Sequence, residues 1–400
     1  MQASDFQTSI AGRVVTAPQG YIAFVPAPLP PTIIYTPALV RAISEADAAL
    51  SELSGTGRLL PNPHVLIAPY VRREAVLSSR IEGTQASLTD LLEAEAGLTP
   101  PNTPLSPPDD VREVRNYIAA LEHGMSLLGE LPLSLRLVRE VHAKLLDGVR
   151  GNTATPGEFR RSQNWIGPPG STPTTAPYVP PPVLEMNAAL GEWEKFLHWR
   201  GEMPDLVQCA LIHEHFEAIH PFLDGNGRVG RLLIMLFLID RGRLSQPLLY
   251  LSEFIERHRR EYYESLSRIR THGDWQGWLM YFLNGVRWSA ARASRQAKQL
   301  LDLREQLRAT LEALPKALPL VDVLFTNPYV NPPRLQKLLG ISDPTARVMI
   351  AKLETLGVLR EVTGRAWGKL WLAATVLKAI EEPGEEPVEP NPASPVRDEQ

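Results

Sequence analysis

The stretch "HPFLDGNGRVGR", residues 220–231, gathers charged and very small residues, and it runs directly into the apolar stretch "LLIMLFLI", residues 232–239. A segment that is apolar on every side of a helix is typical of a central helix enclosed by other helices. It is also much shorter than the roughly 20 apolar residues that a membrane span needs. The two stretches together predict a charged loop that opens onto a buried helix in a mainly helical protein.

The glycines of this loop and the start of the helix predict an anion-binding site. Gly225 and Gly227 lack a Cβ, so the backbone can approach a ligand closely. The first turn of a helix adds unpaired N–H groups and the positive end of the helix dipole. Arg228 and Arg231 lie one turn apart, so both guanidinium groups can reach one chain of phosphates. A loop of Asp, Gly and Asn is ordinarily only a turn, but the complete string favours a phosphate ligand.

Two further side chains of the loop point to chemistry at that phosphate. Asp224 would repel an anion unless a divalent cation lies between them, and Mg²⁺ is commonly held by one carboxylate together with substrate phosphates. The imidazole of His220 can accept a proton near neutral pH. A zinc hydrolase of the H-E-x-x-H type is excluded, because His213 and His215 lie only two residues apart and point to opposite sides of a helix.

The composition indicates a globular chain with two or three domains. Its 400 residues are 44% hydrophobic, and the formal charge of −4 is too small to indicate a strongly basic nucleic-acid-binding protein. The single cysteine, Cys209, cannot form an internal disulfide, and the N-terminal residues lack the apolar segment of a secretory signal. We therefore expect a cytoplasmic protein without a membrane partner.

Clusters among the 37 prolines mark loops and linkers, because proline lacks an N–H donor and disfavours helix at the residue before it. Apolar residues recur at helical spacing between these clusters, including residues 38–53 and 64–96. The predicted parts are an N-terminal helical region (1–108), a helical core (109–290), a helical linker (291–319), a helix-turn-helix domain (320–378) and an acidic disordered tail (379–400).

Residues 320–378 differ in character from the rest of the chain. Their pattern predicts a helix, a turn at "GISDPT", a second helix and two short strands that turn at "TGR". This order resembles a winged helix-turn-helix. Arg347 and Lys352 on the second helix, with Arg365 and Lys369 on the hairpin, could contact DNA phosphates. Such domains also dock proteins or form dimers, and the excess of four positive charges is modest for DNA binding.

The complete loop resembles the H-x-F-x-[D/E]-G-N-G-R-x-x-R signature of Fic-domain proteins, the Fic/DOC family, and the resemblance extends through roughly residues 60–290. It implies an all-helical core with a β-hairpin flap. It also implies binding of ATP with Mg²⁺ and transfer of AMP to a hydroxyl of a target protein, with release of pyrophosphate. By this resemblance His220 is the general base, Phe222 anchors the loop and Asp224 holds Mg²⁺.

The same resemblance assigns the residues that bind the nucleotide. Gly225, Asn226 and Gly227 would form the anion hole. Arg228 would meet the γ-phosphate, and Arg231 would meet the β-phosphate. These roles agree with what phosphoryl-type transfer requires, which is positioning and neutralisation of charge.

The stretch "GEFRRSQNWIG" and the proline-rich loop after it resemble the family's flap, over about residues 164–182. A target segment would add to this flap as a strand, because main-chain pairing positions a hydroxyl while tolerating varied side chains. We expect Trp165 to support the flap.

Further residues are predicted to bind the nucleotide. Gly230, in the same loop-and-helix segment, is one of them. Tyr262 and Tyr263 lie where family members often wall the adenine, although an aromatic pair on a helix is as often simple packing.

A second motif, "SSRIEG", bears on the first. Ser78 and Glu82 lie four residues apart and face the same way on a helix, and Gly83 can end that helix. The motif matches the family's inhibitory [S/T]-x-x-x-[E/D]-[G/N] helix, here within about residues 64–96. By this resemblance Glu82 pairs with Arg228 and takes the place of the γ-phosphate. The ordinary alternative is a surface glutamate.

The leading hypothesis is a self-inhibited protein adenylyltransferase. A second hypothesis is a DNA-binding regulator whose Fic core senses a nucleotide, although a sensor has no need of the base His220. A third is a Fic enzyme that removes AMP, with Glu82 positioning a water, or that transfers another phosphate-containing group. Further predicted partners are a second copy of the chain and DNA bound through residues 320–378.

Overall fold

The computed structural model describes residues 1–6, 10–59, 63–97, 108–149 and 155–381. The described chain is mainly helical, with two small sheets, and none of its helices is both long and apolar enough to cross a membrane. The strands are β1 (Gly12–Thr16), β2 (Ile22–Pro26), β3 (Tyr329–Val330), β4 (Arg360–Glu361) and β5 (Trp371–Leu372). The helices are α1 (Pro37–Leu59), α2 (Pro63–Ile81), α3 (Leu88–Glu95), α4 (Pro108–Leu128), α5 (Leu135–Leu145), α6 (Val183–Leu197), α7 (Asp205–Ile219), α8 (Asn226–Asp240), α9 (Ser252–Arg257), α10 (Arg259–His272), α11 (Trp275–Leu311), α12 (Leu318–Thr326), α13 (Pro332–Leu339), α14 (Asp343–Thr355) and α15 (Ala374–Glu381).

Helix α8 lies in the middle of the helical body, which is the position that its apolar sequence predicts. All residues from 228 to 238 are buried in it, and α7, which packs against it, is buried from Leu206 to Ile219. Helices α2, α4 and α5 also contact α8. The charged loop between α7 and α8 is therefore held at both ends by tightly packed helices.

The predicted helix over residues 64–96 is two helices, α2 and α3. Gly83 adopts a left-handed conformation, with φ +97°, directly after α2. Ser87 then caps α3 by accepting a hydrogen bond from the amide of Asp90, whose carboxylate accepts one from the Ser87 amide in return. Glu82 therefore lies at the end of α2, where its carboxylate can leave the helix axis and reach a neighbouring element.

The N-terminal region is not purely helical, contrary to the prediction for residues 1–108. Strands β1 and β2 pair antiparallel, with Val14 opposite Phe24, and Gly20 turns between them with φ +86°. The β-branched and aromatic residues on both sides of "PQG" were the signal for this hairpin. The Phe24 amide donates to the carbonyl of Val179 at 2.9 Å, so β2 braces the segment predicted to be the flap.

Helix α11 corrects the predicted linker at residues 291–319. It runs for 37 residues through the expected boundary at residue 290. Leu300 and Leu311 in its second half are fully buried, and α1 packs along it. The apolar face of this helix continues past the core, so its second half belongs to the packed body.

Residues 320–378 contain the predicted sequence of elements. Helices α13 and α14 are joined by a turn at Gly340, and the β4–β5 hairpin follows them. Strand β3 completes a three-stranded antiparallel sheet in the order β3-β5-β4. The side-chain amide of Asn327 donates from Nδ2 to the carbonyl of Leu92 at 2.8 Å, and this contact connects the region to α3. Most of the predicted acidic tail, residues 382–400, lies outside the described residues.

Candidate active site

The loop between α7 and α8 begins and ends with a left-handed residue. His220 ends α7 with φ 49° and ψ 62°, and Gly225 starts α8 with φ 78°. Glycine adopts this conformation without cost, whereas a histidine there stores about 1–3 kcal/mol of strain. The surrounding contacts must therefore hold the backbone of His220 in place.

Two side chains at and just before the start of the flap hold that backbone. The carbonyl of His220 accepts hydrogen bonds from Arg160 Nε at 3.0 Å and from Asn164 Nδ2 at 3.1 Å. Asn164 also donates to the carbonyl of Phe222 at 2.8 Å. Arg160 is 1% exposed, so it is a structural cation of the interior. The sequence predicted both residues only as parts of the flap. Their polar character in "RRSQN" was the available signal that they bond to another segment.

The loop is also closed by its own side chains. The side-chain amide of Asn226 donates from Nδ2 to the carbonyl of Phe222 and accepts at Oδ1 from the Phe222 N–H, both at 2.8 Å. The Phe222 ring is fully buried and stacks on His142 at 3.7 Å. His142 Nδ1 accepts from the amide of Gly157, so its Nε2 carries the proton and donates to the carbonyl of Asp224 at 3.1 Å. The loop therefore presents its functional groups on a rigid frame.

The carboxylate of Glu82 lies over the first turn of α8. A Cβ on Gly227 would collide with its Oε1 atom, so only a glycine allows this close approach. The same oxygen accepts a hydrogen bond from Arg231 Nη2 at 2.8 Å. Arg231 also donates to Ser78, from Nε to the hydroxyl at 2.8 Å and from Nη2 to the carbonyl at 2.9 Å. Ser78 and Glu82 thus hold one guanidinium from successive turns of α2.

This geometry corrects the predicted pairing of Glu82 with Arg228. The guanidinium of Arg228 instead pairs with Glu113 of α4 at 3.2 Å and lies 3.7 Å from Asp224. Glu113 is fully buried and also accepts from the hydroxyl of Thr84 at 3.0 Å. Glu82 at the end of α2 therefore pairs with Arg231, and Glu113 of α4 pairs with Arg228.

The charges around Glu82 favour its ionised form. Burial raises the pKa of the Glu82 carboxyl, but Arg231 outweighs this effect, with help from Arg228, and holds the pKa below its usual value. The pKa of Arg231 is raised in turn, because Glu82 and nearby Tyr117 overcome the cost of its burial. The pair is therefore ionised at neutral pH.

His220 is neutral in this environment. Burial, together with the positive charges of Arg160 and Arg270, lowers the pKa of His220 to about 3. Its interaction with the backbone of Glu217 raises the pKa against these effects without overcoming them. The imidazole therefore has a lone pair for a proton, but a pKa this low makes His220 a weak base while the site has this arrangement.

Asp224 is the loop carboxylate that could hold a metal ion. Its side chain is 44% exposed and lies beside Arg228, and it accepts a hydrogen bond from the Gly225 amide at 2.6 Å. No group of three or more His, Cys, Asp or Glu side chains that could bind a metal occurs within the described ranges. A single exposed carboxylate fits Mg²⁺ that arrives with the phosphates of a nucleotide, and it does not fit a resident ion held by protein alone.

Comparison with known proteins agrees with this site. Residues 40–126 match the family model described as Fic/DOC family N-terminal, and residues 132–238 match the model described as Fic/DOC family. The chain belongs to the Fic/DOC family. The two matched segments contain both the α2 motif and the loop with its buried helix.

Curated relatives of this Fic/DOC protein are named protein adenylyltransferase Fic. That of Drosophila grimshawi is 27% identical over 172 residues, which cover 42% of this chain and 31% of the relative. That of Drosophila willistoni is 27% identical over 169 residues, which cover 42% and 30%. The match thus spans about a third of the relatives' length. A Fic family structure from Desulfovibrio desulfuricans G20 has a TM-score of 0.54 at 20% identity, over 86% of this chain and 98% of that chain, and supports the fold.

Two residues predicted to bind the nucleotide in this Fic/DOC protein are turned away from the loop. Gly230 faces α7, where its carbonyl lies 3.1 Å from His213 Nδ1 and a Cβ would lie 2.6 Å from Glu217 Oε1. Tyr262 is 2% exposed, and its hydroxyl lies 2.9 Å from His213 Nε2. Both predictions are corrected, because these residues pack α7 against α8 and α10. Tyr263 is 46% exposed beside this packing and stays a predicted adenine contact.

The flap of this Fic/DOC protein is a loop closed by one antiparallel bridge, between Ile166 and Tyr178. The hydroxyl of Tyr178 donates to the carbonyl of Ala218 at 2.7 Å, two residues before His220. The guanidinium of Arg270 lies 4.0 Å from the Tyr178 ring centre. Trp165 keeps 41% of its surface exposed. The flap is therefore fixed to the C-terminal end of α7, directly before His220.

Proposed function

We propose that this protein is a self-inhibited adenylyltransferase that transfers AMP from ATP to a hydroxyl side chain of a target protein. The observation that carries the proposal is the carboxylate of Glu82 over Gly227, hydrogen-bonded to Arg231. The carboxylate of Glu82 thus lies where a phosphate of ATP would bind, so the chain itself supplies the anion there.

The loop offers each group that the reaction needs. Neutral His220 would take the proton of the attacking hydroxyl, whose oxygen bonds to the α-phosphorus as the bond to the β-phosphate bridge breaks and pyrophosphate leaves. Backbone amides at the start of α8 and the guanidinium groups of Arg228 and Arg231 would neutralise the phosphates. Asp224 would hold Mg²⁺, which when bound screens charge between the phosphates.

The inhibition would be a competition for Arg231. A carboxylate and a phosphate oxygen accept the same hydrogen bonds from a guanidinium, and both cannot occupy the space over Gly227. Because Ser78 also accepts hydrogen bonds from Nε and Nη2 of Arg231, the arginine cannot turn toward a nucleotide while α2 stays in place. ATP would bind poorly or in an unproductive pose until Glu82 leaves.

The target segment would lie along the flap, within about residues 164–182. An added strand would pair with main-chain groups of the flap other than those of the bridge between Ile166 and Tyr178. Trp165, exposed at 41%, would give this strand an apolar surface. Support from β2 through Val179 keeps the flap at a fixed distance from the loop.

The test is incorporation of AMP from labelled ATP, including self-modification, followed by mass spectrometry. Glu82→Gly should raise labelling strongly, and His220→Ala in that background should abolish it. The matched control is Glu130→Gly, which also removes an exposed glutamate just after a helix and should label like the wild type.

An added AMP mass on a hydroxyl residue supports the proposal. If no variant carries an adduct and the enzyme releases AMP from a protein that already carries it, the reaction is removal of AMP and not its transfer. Equal labelling of wild type and Glu82→Gly would leave transfer standing and overturn the inhibition.

A further inference from the structure

Helix α14 has a face with no role in the proposed reaction. Ala346, Ile350 and Leu353 point into the core of residues 320–378 and are buried. The opposite face is centred on Val348, which is 57% exposed, and on Ala351, one turn further along. Such a face, small and apolar at its centre, differs from the charged surface that a solvated helix usually shows.

Cations flank this face on both sides. Arg347 lies on one side and Lys352 on the other, and both are exposed. Arg347 is 65% exposed and pairs with Asp343 of the same helix at 2.7 Å, a surface contact that a stronger anion can displace. The helix therefore presents small side chains at the middle, with Lys352 along one edge and Arg347 together with the exposed Glu354 along the other.

The β4–β5 hairpin continues the positive surface. Its turn carries Arg365 and Lys369, both exposed, on either side of Trp367, which is 89% exposed. The carboxylate of Glu361 accepts hydrogen bonds from the amides of Thr363 and Gly364, so this acidic group shapes the turn. A tryptophan this exposed is rare on a surface without a partner.

We propose that this surface binds duplex DNA, with α14 in the major groove and the hairpin tip on the adjoining backbone. The major groove is about 12 Å wide and admits one α-helix, and small side chains at the centre of the helix let it approach the bases. Arg347 and Lys352 then face the two phosphate strands that border the groove. Arg365 and Lys369 contact phosphates beyond it, and Trp367 lies against the sugars or in the minor groove.

The distribution of charge favours DNA over a protein partner. Residues 320–378 contain eight Lys or Arg and four Asp or Glu, while the whole chain has a formal charge of −4. The positive potential is therefore local to this region, and it steers a polyanion to this face and away from the rest of the molecule. Lys316, across a cleft of about 380 Å³ from Val348 and Lys352, adds a further cation on the same side.

The experiment measures binding of the full chain to a fluorescent random-sequence duplex by anisotropy, over a range of salt concentrations. Binding should weaken linearly in log–log form as salt rises. Removing two phosphate contacts in Arg365→Ala/Lys369→Ala should lower that slope by about 2 and weaken binding about 60-fold at about 0.1 M salt, since each contact contributes a slope of about 0.9. The control, Lys195→Ala/Arg260→Ala, removes two cations that are 73% and 92% exposed elsewhere and should change neither quantity.

A second variant tests the helix face itself. Ala351→Glu puts a negative charge at the centre of the face on an exposed position of a helix, and it should abolish binding without lowering the melting temperature. Ala188→Glu, at an exposed position of α6, is its control. Absence of binding by the wild type at about 50 mM salt, where phosphate contacts are strong, overturns the proposal. So does equal binding by Ala351→Glu, by Arg365→Ala/Lys369→Ala and by the controls.

Discussion

Replacing Glu82 by glutamine separates the charge of the inhibitory contact from its bulk. The side chain keeps its size, so it still fills the space over Gly227, but the hydrogen bond to Arg231 at 2.8 Å is no longer between two ions. A hydrogen bond to a charged group is worth about 1.5–3 kcal/mol. Because the Glu82 side chain is 33% exposed, solvent screening reduces the loss to about 1–2 kcal/mol.

That loss corresponds to an increase of about 5- to 30-fold in the fraction of molecules with an open site. The initial rate of self-modification with labelled ATP should rise by that factor in Glu82→Gln. It should rise further in Glu82→Gly, which also empties the space over Gly227. Glu130→Gln, at an exposed glutamate after α4, is the control and should match the wild type.

Two results would refute this reasoning. If Glu82→Gln labels as slowly as the wild type while Glu82→Gly is fast, the contact inhibits by filling space, and its charge contributes nothing. If the two variants label equally fast, the bulk of the side chain is irrelevant. The predicted order, with glycine fastest and wild type slowest, requires both contributions.

Three further predictions follow from the site. Glu113→Gln should lower the free energy of unfolding by about 3–5 kcal/mol in urea denaturation, because buried Arg228 loses its charged partner; an unchanged midpoint would contradict this. Gly230→Ala should lower the melting temperature through an overpacking cost of about 1–3 kcal/mol, since its Cβ would lie 2.6 Å from a carboxylate oxygen of α7. His220 has a pKa lowered to about 3, so its neutral form should persist as pH falls from 7 to 5, and an NMR titration centred near its usual value would disprove it.

The features that sequence reasoning predicted are those in which the interacting residues are neighbours in the chain. The buried helix α8 follows from its continuous apolar run, and the glycine at position 225 suits the left-handed start of that helix. The break after Glu82 was signalled by Gly83. Each of these depends on local backbone conformation or on the period of a helix, which a single stretch of sequence contains.

The errors concern contacts between distant residues. The helical periodicity of α11 gave no sign that α12 and α15 would pack against its second half, so a linker was predicted there. Tyr262 was interpreted by its position in a family, whereas the packing of α7 against α10 buries it at His213. Arg160 and Asn164, which hold the backbone of His220, come from a segment 56 or more residues earlier and carry no motif of their own.

The sequence by itself determined which chemical groups are present: one imidazole, one carboxylate, glycines and two arginines in a loop before an apolar helix, with a serine and a glutamate one turn apart upstream. Only the tertiary structure decided the pairing among these groups. Arg228 and Arg231 differ by one turn of α8, and Glu82 could serve either from the sequence alone. Because of the way α2 packs on α8, Glu82 pairs with Arg231. Arg228 pairs instead with Glu113, a buried carboxylate of α4.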